Sequence, residues 1–368
     1  MGRCAVAAAL LFAAAAGAAL YVLSSAWQRG GVERRTAPRP PPKKILFWNR
    51  FFRAGMWGFG AGRRGFARAG CPVDHCLVAE RTAGSPAGAR GFDAVVLHGW
   101  DLRVDSRDLE ELRASRNPRQ RYVFYLMEPP GVYRTRLKDF PGFFNWTMTY
   151  RRDSDVHRPY GIFLPRNGSL GRADNTTLAP AKKGLVAWFV SKCKTASRRE
   201  DYVQELRKHV RVDVYGKCGN LKCRGRMSEE CYRMLDRRYK FYLSFENSLC
   251  RDYATEKLFA VMRHDVVPVV YGGADYREVA PPGSYVDTND FANPERLAEH
   301  LKYLDANPRE YAKYLSWKRS YRVDRAPMSR AMCQLCAMLN DPSLPPKSYP
   351  SIHEWYSGAG VCRNAPSR

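Results

Sequence analysis

The sequence predicts an α/β protein built from two Rossmann-like halves behind one N-terminal membrane anchor, and three observations carry that reading. From Ile45 onward, short apolar runs alternate with helix-patterned segments, as parallel βαβ units require. The alternation breaks once, between Pro165 and Gly184, where Gly, Asn, Thr and Pro concentrate, and then resumes with a second set of strands. The 368 residues suffice for two domains of ordinary size, and a 45% hydrophobic share can fill a core in each.

The first element is Ala5 to Leu23, which carries no charge and as a helix would span about 28 Å, close to one bilayer core. Its length favours a retained signal anchor over a cleaved signal peptide, whose apolar core usually runs about 7–15 residues; the small residues Ala13 to Ala19 nevertheless offer cleavage sites. Charge alone would put the body in the cytosol, since Arg3 precedes the run and Arg29, Arg34, Arg35, Arg39, Lys43 and Lys44 follow it. Cysteine and asparagine point to the lumen. Of 11 Cys, Cys4 precedes the run and an even number follow it, as pairing in an oxidising compartment needs. Three glycosylation sequons, at Asn145, Asn167 and Asn175, agree. The expected organisation is a cytosolic tail (1–4), an anchor (5–24) and a Pro/Arg-rich stem (25–44). An N-terminal domain (45–170), a C-terminal domain (171–340) and a C-terminal tail (341–368) follow.

In the first half the candidate strands are Lys44 to Trp48, Asp93 to His98 and Arg121 to Met127. In the second they are Gly184 to Ser191, Val212 to Tyr215, Phe241 to Phe245 and Val266 to Tyr271. Ser197 with Glu200 forms a capping-box pattern before an apolar face of Tyr202, Val203 and Leu206. Asn293-Pro294 opens a second helix whose Leu297, Leu301 and Leu304 share one face. Two such halves place a ligand in the cleft at their strand C-termini.

Several classes are excluded or disfavoured. Neither a phosphate-binding G-x-x-x-x-G-K-[ST] loop nor a strand-linked G-x-G-x-x-G is present, and Gly58-Phe-Gly60-Ala-Gly62 reads as a plain loop. The net charge of +25 invites nucleic acid, but no basic block or nucleic-acid motif supports it, so no nucleic-acid partner is expected. The His residues lack metal-ligand spacing.

Chemistry concentrates in Phe241-Tyr-Leu-Ser-Phe-Glu-Asn-Ser248, Arg251-Asp-Tyr-Ala-Thr-Glu-Lys257 and Pro268-Val-Val-Tyr-Gly-Gly273. A buried strand would end in a polar turn at Glu246, Asn247 and Ser248. A helix starting near Tyr253 would then aim its positive end at the cleft, with Lys257 adding a formal charge and Tyr253 a flat surface and a hydroxyl. The bland alternative is an exposed helix start with a Glu256–Lys257 surface pair.

In order and spacing these segments resemble the signature of the α1,3-fucosyltransferases, glycosyltransferase family 10, in their invertebrate form; Pro282-Gly-Ser-Tyr-Val-Asp287 and Asp290-Phe291 match the next element. The resemblance covers about residues 45–340. It implies a GT-B fold and a single-pass type II Golgi membrane protein. The implied reaction is inverting transfer of L-fucose from GDP-fucose to a GlcNAc hydroxyl of a glycoprotein or glycolipid glycan. Two alternatives stay open: a lumenal sugar-binding protein without transfer activity, and a metal-dependent glycosyltransferase with another nucleotide-sugar donor.

By resemblance, Glu128 in Met127-Glu-Pro-Pro130 is the catalytic base, with Pro129 replacing the family's serine. Arg199, with Arg198 as the alternative, and Lys257 would meet the diphosphate, and Tyr253 and Glu256 would orient ribose or fucose. Val190 and Ser191 would meet the nucleotide, although Lys192 replaces the asparagine often found next; Glu246 and Asn247 would support the motif. Asp153-Ser-Asp155 has the spacing of a metal-binding D-x-D but belongs to a first-domain family motif, and no cofactor or essential divalent metal is expected. Cys71, Cys76, Cys333 and Cys336 could form a four-thiolate zinc site, but the lumen favours disulfides, and the family ties such a C-terminal pair to first-domain cysteines.

Overall fold

Runs of buried β-branched and aromatic residues build two parallel sheets. The computed structural model describes residues 40–49, 51, 58–81, 89–100, 102, 107–114, 116–166, 182–223, 228–325 and 328–365. The apolar run Ala5 to Leu23 and the sequons at Asn167 and Asn175 lie outside these residues, and no helix among them is long and apolar enough to cross a membrane. The chain divides into Met1–Pro41 and Pro42–Arg368, and the elements below belong to the second unit.

The first sheet holds β1 (Lys43–Phe47), β2 (Cys76–Glu80), β3 (Ala94–His98), β4 (Arg121–Leu126), β5 (Trp146–Thr149) and β6 (Val156–His157), in the order β2-β1-β3-β4-β5-β6, all parallel. β7 (Ile162–Pro165) follows. The second sheet holds β8 (Gly184–Phe189), β9 (Val212–Tyr215) and β10 (Tyr239–Phe245). The short β11 (Leu249–Cys250) lies outside it, and β12 (Val267–Tyr271) and β13 (Val286–Asp287) complete it in the parallel order β13-β12-β10-β8-β9. The interior strands β3, β4 and β10 are buried almost throughout, as parallel strands covered on both faces must be. Two antiparallel ties join distant parts of the chain: β14 (Tyr321–Asp324) pairs with β7, and β15 (Cys362–Arg363) with β11.

All seven expected strands occur, each within two residues of its expected bounds. The Asn293-Pro294 helix forms as read: Asn293 Oδ1 accepts from the Arg296 N–H, and Leu297, Leu301 and Leu304 are buried. The capping box does not form. Ser197 instead donates its hydroxyl to the Glu246 carbonyl, Glu200 accepts from the N–H and hydroxyl of Thr195, and the helix begins at Arg199 after Arg198 at φ 51°. The expected helix start near Tyr253 also moves. The helix is only Glu256–Phe259, capped by Thr255, because Asp252 at φ 61° turns the chain away first. Four residues supply little of the dipole expected to seat a phosphate.

Residues 328–356, read from sequence as the end of the second domain and a tail, pack on the first sheet. Met328, Ala331, Leu335, Tyr349, Ile352 and Tyr356 join Phe124, Phe144 and Met148 in one core. Cys71–Cys333 and Cys76–Cys336 disulfides fasten this return, so the four thiols are bonded in pairs rather than open to zinc. Because both bridges close nearly the same loop, the second adds little closure entropy to the first. Cys193–Cys218, Cys223–Cys231 and Cys250–Cys362 complete the pairing of the ten cysteines beyond the apolar run.

Candidate active site

The first half contributes the turn after β4. Pro129 and Pro130 cannot extend a central ladder, so the strand ends and Glu128 stands at its C-terminal edge, half-buried. Two tyrosine hydroxyls clamp this turn through its backbone: Tyr160 donates to the Met127 carbonyl at 2.6 Å and Tyr356 to the Glu128 carbonyl at 2.5 Å.

The second half contributes the turn after β10. Glu246 is 1% exposed and accepts from the Thr255 N–H at 2.8 Å, the Thr255 hydroxyl at 2.9 Å and the Lys257 ammonium at 3.0 Å. Lys257 also lies 3.3 Å from Glu256, whose side chain is half exposed, and donates to the Thr255 hydroxyl at 2.8 Å.

These two turns, over a hundred residues apart in sequence, feel each other's charge. Burial pushes the Glu128 carboxyl above the ordinary glutamate range, and the nearby Glu256 adds to that, while Lys257 and Lys192 pull it back only in part. Glu256 goes the other way: burial would raise it, but Lys257 and hydrogen bonding outweigh burial and hold it below the usual range. Burial likewise opposes the charge of Lys257, yet Glu246 and then Glu256 keep the ammonium above its ordinary value.

The other expected residues divide. Val190 is buried, with its N–H on the Tyr215 carbonyl and its carbonyl accepting from Cys218; Ser191 is half-buried just beyond β8. A Cβ on Gly216, at φ 100°, would come within 2.6 Å of the Val190 carbonyl, so this approach requires glycine. Arg199 is 4% exposed. Its guanidinium donates to the Phe245 and Lys192 carbonyls, tying the ends of β10 and β8, and only its Nε lacks a partner among the described residues. The alternative Arg198 lies on the surface, paired with Asp201 at 2.7 Å. Tyr253 presents no open face: it is 2% exposed, wedged edge-on against Tyr150 at 5.0 Å and Tyr160 at 6.1 Å.

A cavity of about 330 Å³ separates residues 130–132 of the first half from Lys192, Lys194, Asn247 and Ser248 of the second. Asn247 Oδ1 and Ser248 Oγ are buried there with no hydrogen-bond partner among the described residues, while Lys192 and Lys194 are exposed. From sequence Lys192 reads as a departure and Ser248 as part of the polar turn, while Lys194 goes unnoticed; its signal was the Lys-Cys-Lys spacing, in which the Cys193–Cys218 bridge holds the residue between the two lysines. A larger cleft of about 420 Å³, lined by His157, Phe163, Phe259 and Arg330 among others, shares no residue with this one.

Both carboxylates of the D-x-D serve the fold. Asp153 pairs with Arg151 at 2.7 Å and Arg251 at 2.6 Å, and Asp155 accepts from Thr147, Tyr349 and Lys347. No group of three His, Cys, Asp or Glu among the described residues could hold a metal ion. Asn145, read as a glycan acceptor, is also built into the fold. Its Oδ1 accepts from the Tyr122 N–H at 2.9 Å, its Nδ2 donates to the Lys347 carbonyl at 2.9 Å, and Thr147 is fully buried.

Residues 179–355 match the model of the glycosyltransferase family 10 (fucosyltransferase) C-terminal region, and residues 40–161 match the fucosyltransferase N-terminal model. The chain is 40% identical over 337 residues to alpha-(1,3)-fucosyltransferase C of Drosophila melanogaster, covering 85% of this chain and 77% of that one. It is 37% identical over 329 residues to glycoprotein 3-alpha-L-fucosyltransferase A of Drosophila melanogaster, covering 87% of this chain and 61% of that one. Among solved structures, an alpha1,3-fucosyltransferase crystal structure superposes with a TM-score of 0.55 at 16% identity, covering 85% of this chain and 94% of the other, and so supports the fold.

Proposed function

Because the chain belongs to the glycosyltransferase family 10 fucosyltransferases, we propose that it transfers L-fucose from GDP-fucose to a GlcNAc hydroxyl of glycoprotein or glycolipid glycans, forming an α1,3 linkage with inversion. The observation that carries this reading is the cleft between the Glu128 turn and the second half, across which Glu256 and Lys257 act electrostatically on Glu128.

The acceptor oxygen attacks the anomeric carbon of fucose as the bond from that carbon to the β-phosphate oxygen breaks and GDP leaves with the electron pair. Glu128 takes the acceptor hydroxyl proton. Its raised proton affinity suits it to that task, because a base that titrates closer to neutrality accepts a proton more readily. Lys257 and Lys192 offset charge developing on the diphosphate, and Arg199 holds in register the two strand ends that flank it. This scheme uses no metal. Resemblance further supports a type II Golgi membrane protein with a lumenal body and the run Ala5 to Leu23 as its anchor.

The test is incubation with GDP-fucose and a glycan panel after dialysis against EDTA, with the new linkage located by mass spectrometry. Glu128→Gln should retain GDP binding and lose turnover by roughly 10²–10⁴-fold, the usual share of a general base. Near-normal turnover would remove Glu128 from that role, and GDP binding without transfer to any acceptor would favour a lumenal binding protein.

A further inference from the structure

Residues 351–363 touch both halves of the site. At one end the helix Ile352–Ser357 is embedded in the first sheet's core, with Ile352 and Tyr356 fully buried and the Tyr356 ring edge-on to Phe124 at 5.2 Å. The Tyr356 hydroxyl holds the Glu128 carbonyl. Arg151, itself 2% exposed, donates to the Trp355 carbonyl and lies 4.2 Å from that ring, and the hydroxyls of Tyr133 and Ser357 are hydrogen-bonded.

At the other end Cys362 is bonded to Cys250, and β15 pairs with β11, the two residues that directly follow the Glu246–Ser248 turn. Arg363 reaches on to the Gly272 carbonyl at 2.8 Å. A Cβ on Gly273 would come within 2.4 Å of the Leu249 backbone, so β11 is hemmed in by Gly273 as well as tied to β15. Six residue steps separate Tyr356 from Cys362, so a fully extended chain could part them by no more than about 20 Å. The Glu128 turn and the donor-side turn are therefore fastened to the two ends of one short tether.

We propose that residues 351–363 form a strap that sets the spacing between Glu128 and the Glu246–Lys257 turn, with Tyr356 and the Cys250–Cys362 disulfide as its positioning groups. The proposal rests on Glu128 as the base. Proton transfer and displacement must occur in one assembly, and a misplacement of about 1 Å can cost on the order of 10²-fold in rate. Loosening the strap moves Glu128 relative to the donor while leaving the hydrogen bonds among Glu246, Thr255 and Lys257 in place.

The experiment uses the full chain with Tyr356→Phe, with Cys250→Ala/Cys362→Ala, and with Cys223→Ala/Cys231→Ala as a disulfide control within the second half. Turnover, KM for both substrates and GDP affinity by calorimetry are measured for each, beside Glu128→Gln. The expected result is a fall in kcat of about tenfold or more in both strap variants with GDP affinity within twofold of wild type, and no such split in the control. Normal kcat in the strap variants, with Glu128→Gln inactive, would overturn the strap and spare the base. Parallel loss of kcat and GDP affinity would show a purely structural tie and also overturn it. Normal turnover in Glu128→Gln would instead overturn the reading on which the strap rests. If the disulfide variant fails to fold, Tyr356→Phe, which removes one oxygen atom, carries the test.

Discussion

Lys257→Met removes the cation that faces Glu246, and the cost follows from where that carboxylate sits. Glu246 is 1% exposed, and of its partners only Lys257, at 3.0 Å, brings a charge. Without it a carboxylate is left in a site that burial already makes hostile to charge. Breaking a buried pair in this way costs about 3–5 kcal/mol. At about 2 °C per kcal/mol for a large domain, the variant should melt about 6–10 °C below wild type at pH 7. Adding Glu246→Gln removes the stranded charge while its amide oxygen still accepts from Thr255, so the double variant should recover most of the loss and melt within about 4 °C of wild type. Burial without Lys257 leaves the folded-state pKa of Glu246 raised; the stability of its protonated form is then present below the unfolded pKa and lost as pH rises through the folded one. The deficit of Lys257→Met should therefore shrink as pH is lowered toward 5. The assay is thermal unfolding of the four members of the cycle at pH 5 and 7. A double variant no more stable than Lys257→Met, or a deficit that grows in acid, would refute the reasoning.

Three further outcomes are expected. The acid limb of kcat/KM should fall above the ordinary glutamate range, because Glu128 must be ionised to act and its carboxyl is raised; by the same sign, Glu128→Gln should melt higher than wild type at pH 7, an advantage that disappears near pH 4, and calorimetric scans check both ends. Lys192→Ala should raise the KM for GDP-fucose by about 3–10-fold, with the difference narrowing at high salt, as for one exposed charge facing a phosphate; a salt series of initial rates tests this. Asn145 should carry no glycan in the folded protein, since its amide is bonded on both sides, and glycopeptide mass spectrometry of Asn145 decides it.

Strand cores were readable because buried parallel strands leave continuous apolar runs, as Val95, Val96 and Leu97 do in β3 and Phe241, Tyr242 and Leu243 in β10. β6 and β13 were not, because two residues carry no period. β5 was hidden for another reason: Trp146-Thr-Met-Thr149 mixes polar and apolar residues on a strand buried throughout, and its threonines are satisfied by Asp155 and Ser154. The return of residues 328–356 to the first sheet could not be read, because an apolar helix face does not say which core it meets; only the Cys333-x-x-Cys336 spacing hinted at it. Asp252 in the left-handed region displaced the expected helix start, and no pattern announces a non-glycine residue there. At the site, Glu128 was legible only through its motif. The pull of residues 246–257 on it is an electrostatic influence across the fold, which local sequence does not encode.

Their surroundings also distinguish the three carboxylates. Glu246 is committed to Thr255 and Lys257, which tie it into the turn. Glu256 is half exposed, pairs with Lys257 and is held below the usual carboxylate range by that pairing and by hydrogen bonding. Glu128 alone of the three has no ion-pair partner among the described residues, and burial raises its carboxyl while its neighbours' negative charge adds to the shift. Two carboxylates whose surroundings push them in opposite directions do different work: the lowered one serves as fixed charge and hydrogen-bond acceptor, the raised one as the group that exchanges a proton. In the proposed mechanism Glu128 serves as the base, and because the charges that act on it, Glu256 and Lys257, belong to the other half, their spacing from Glu128 has to be maintained between two halves of one chain.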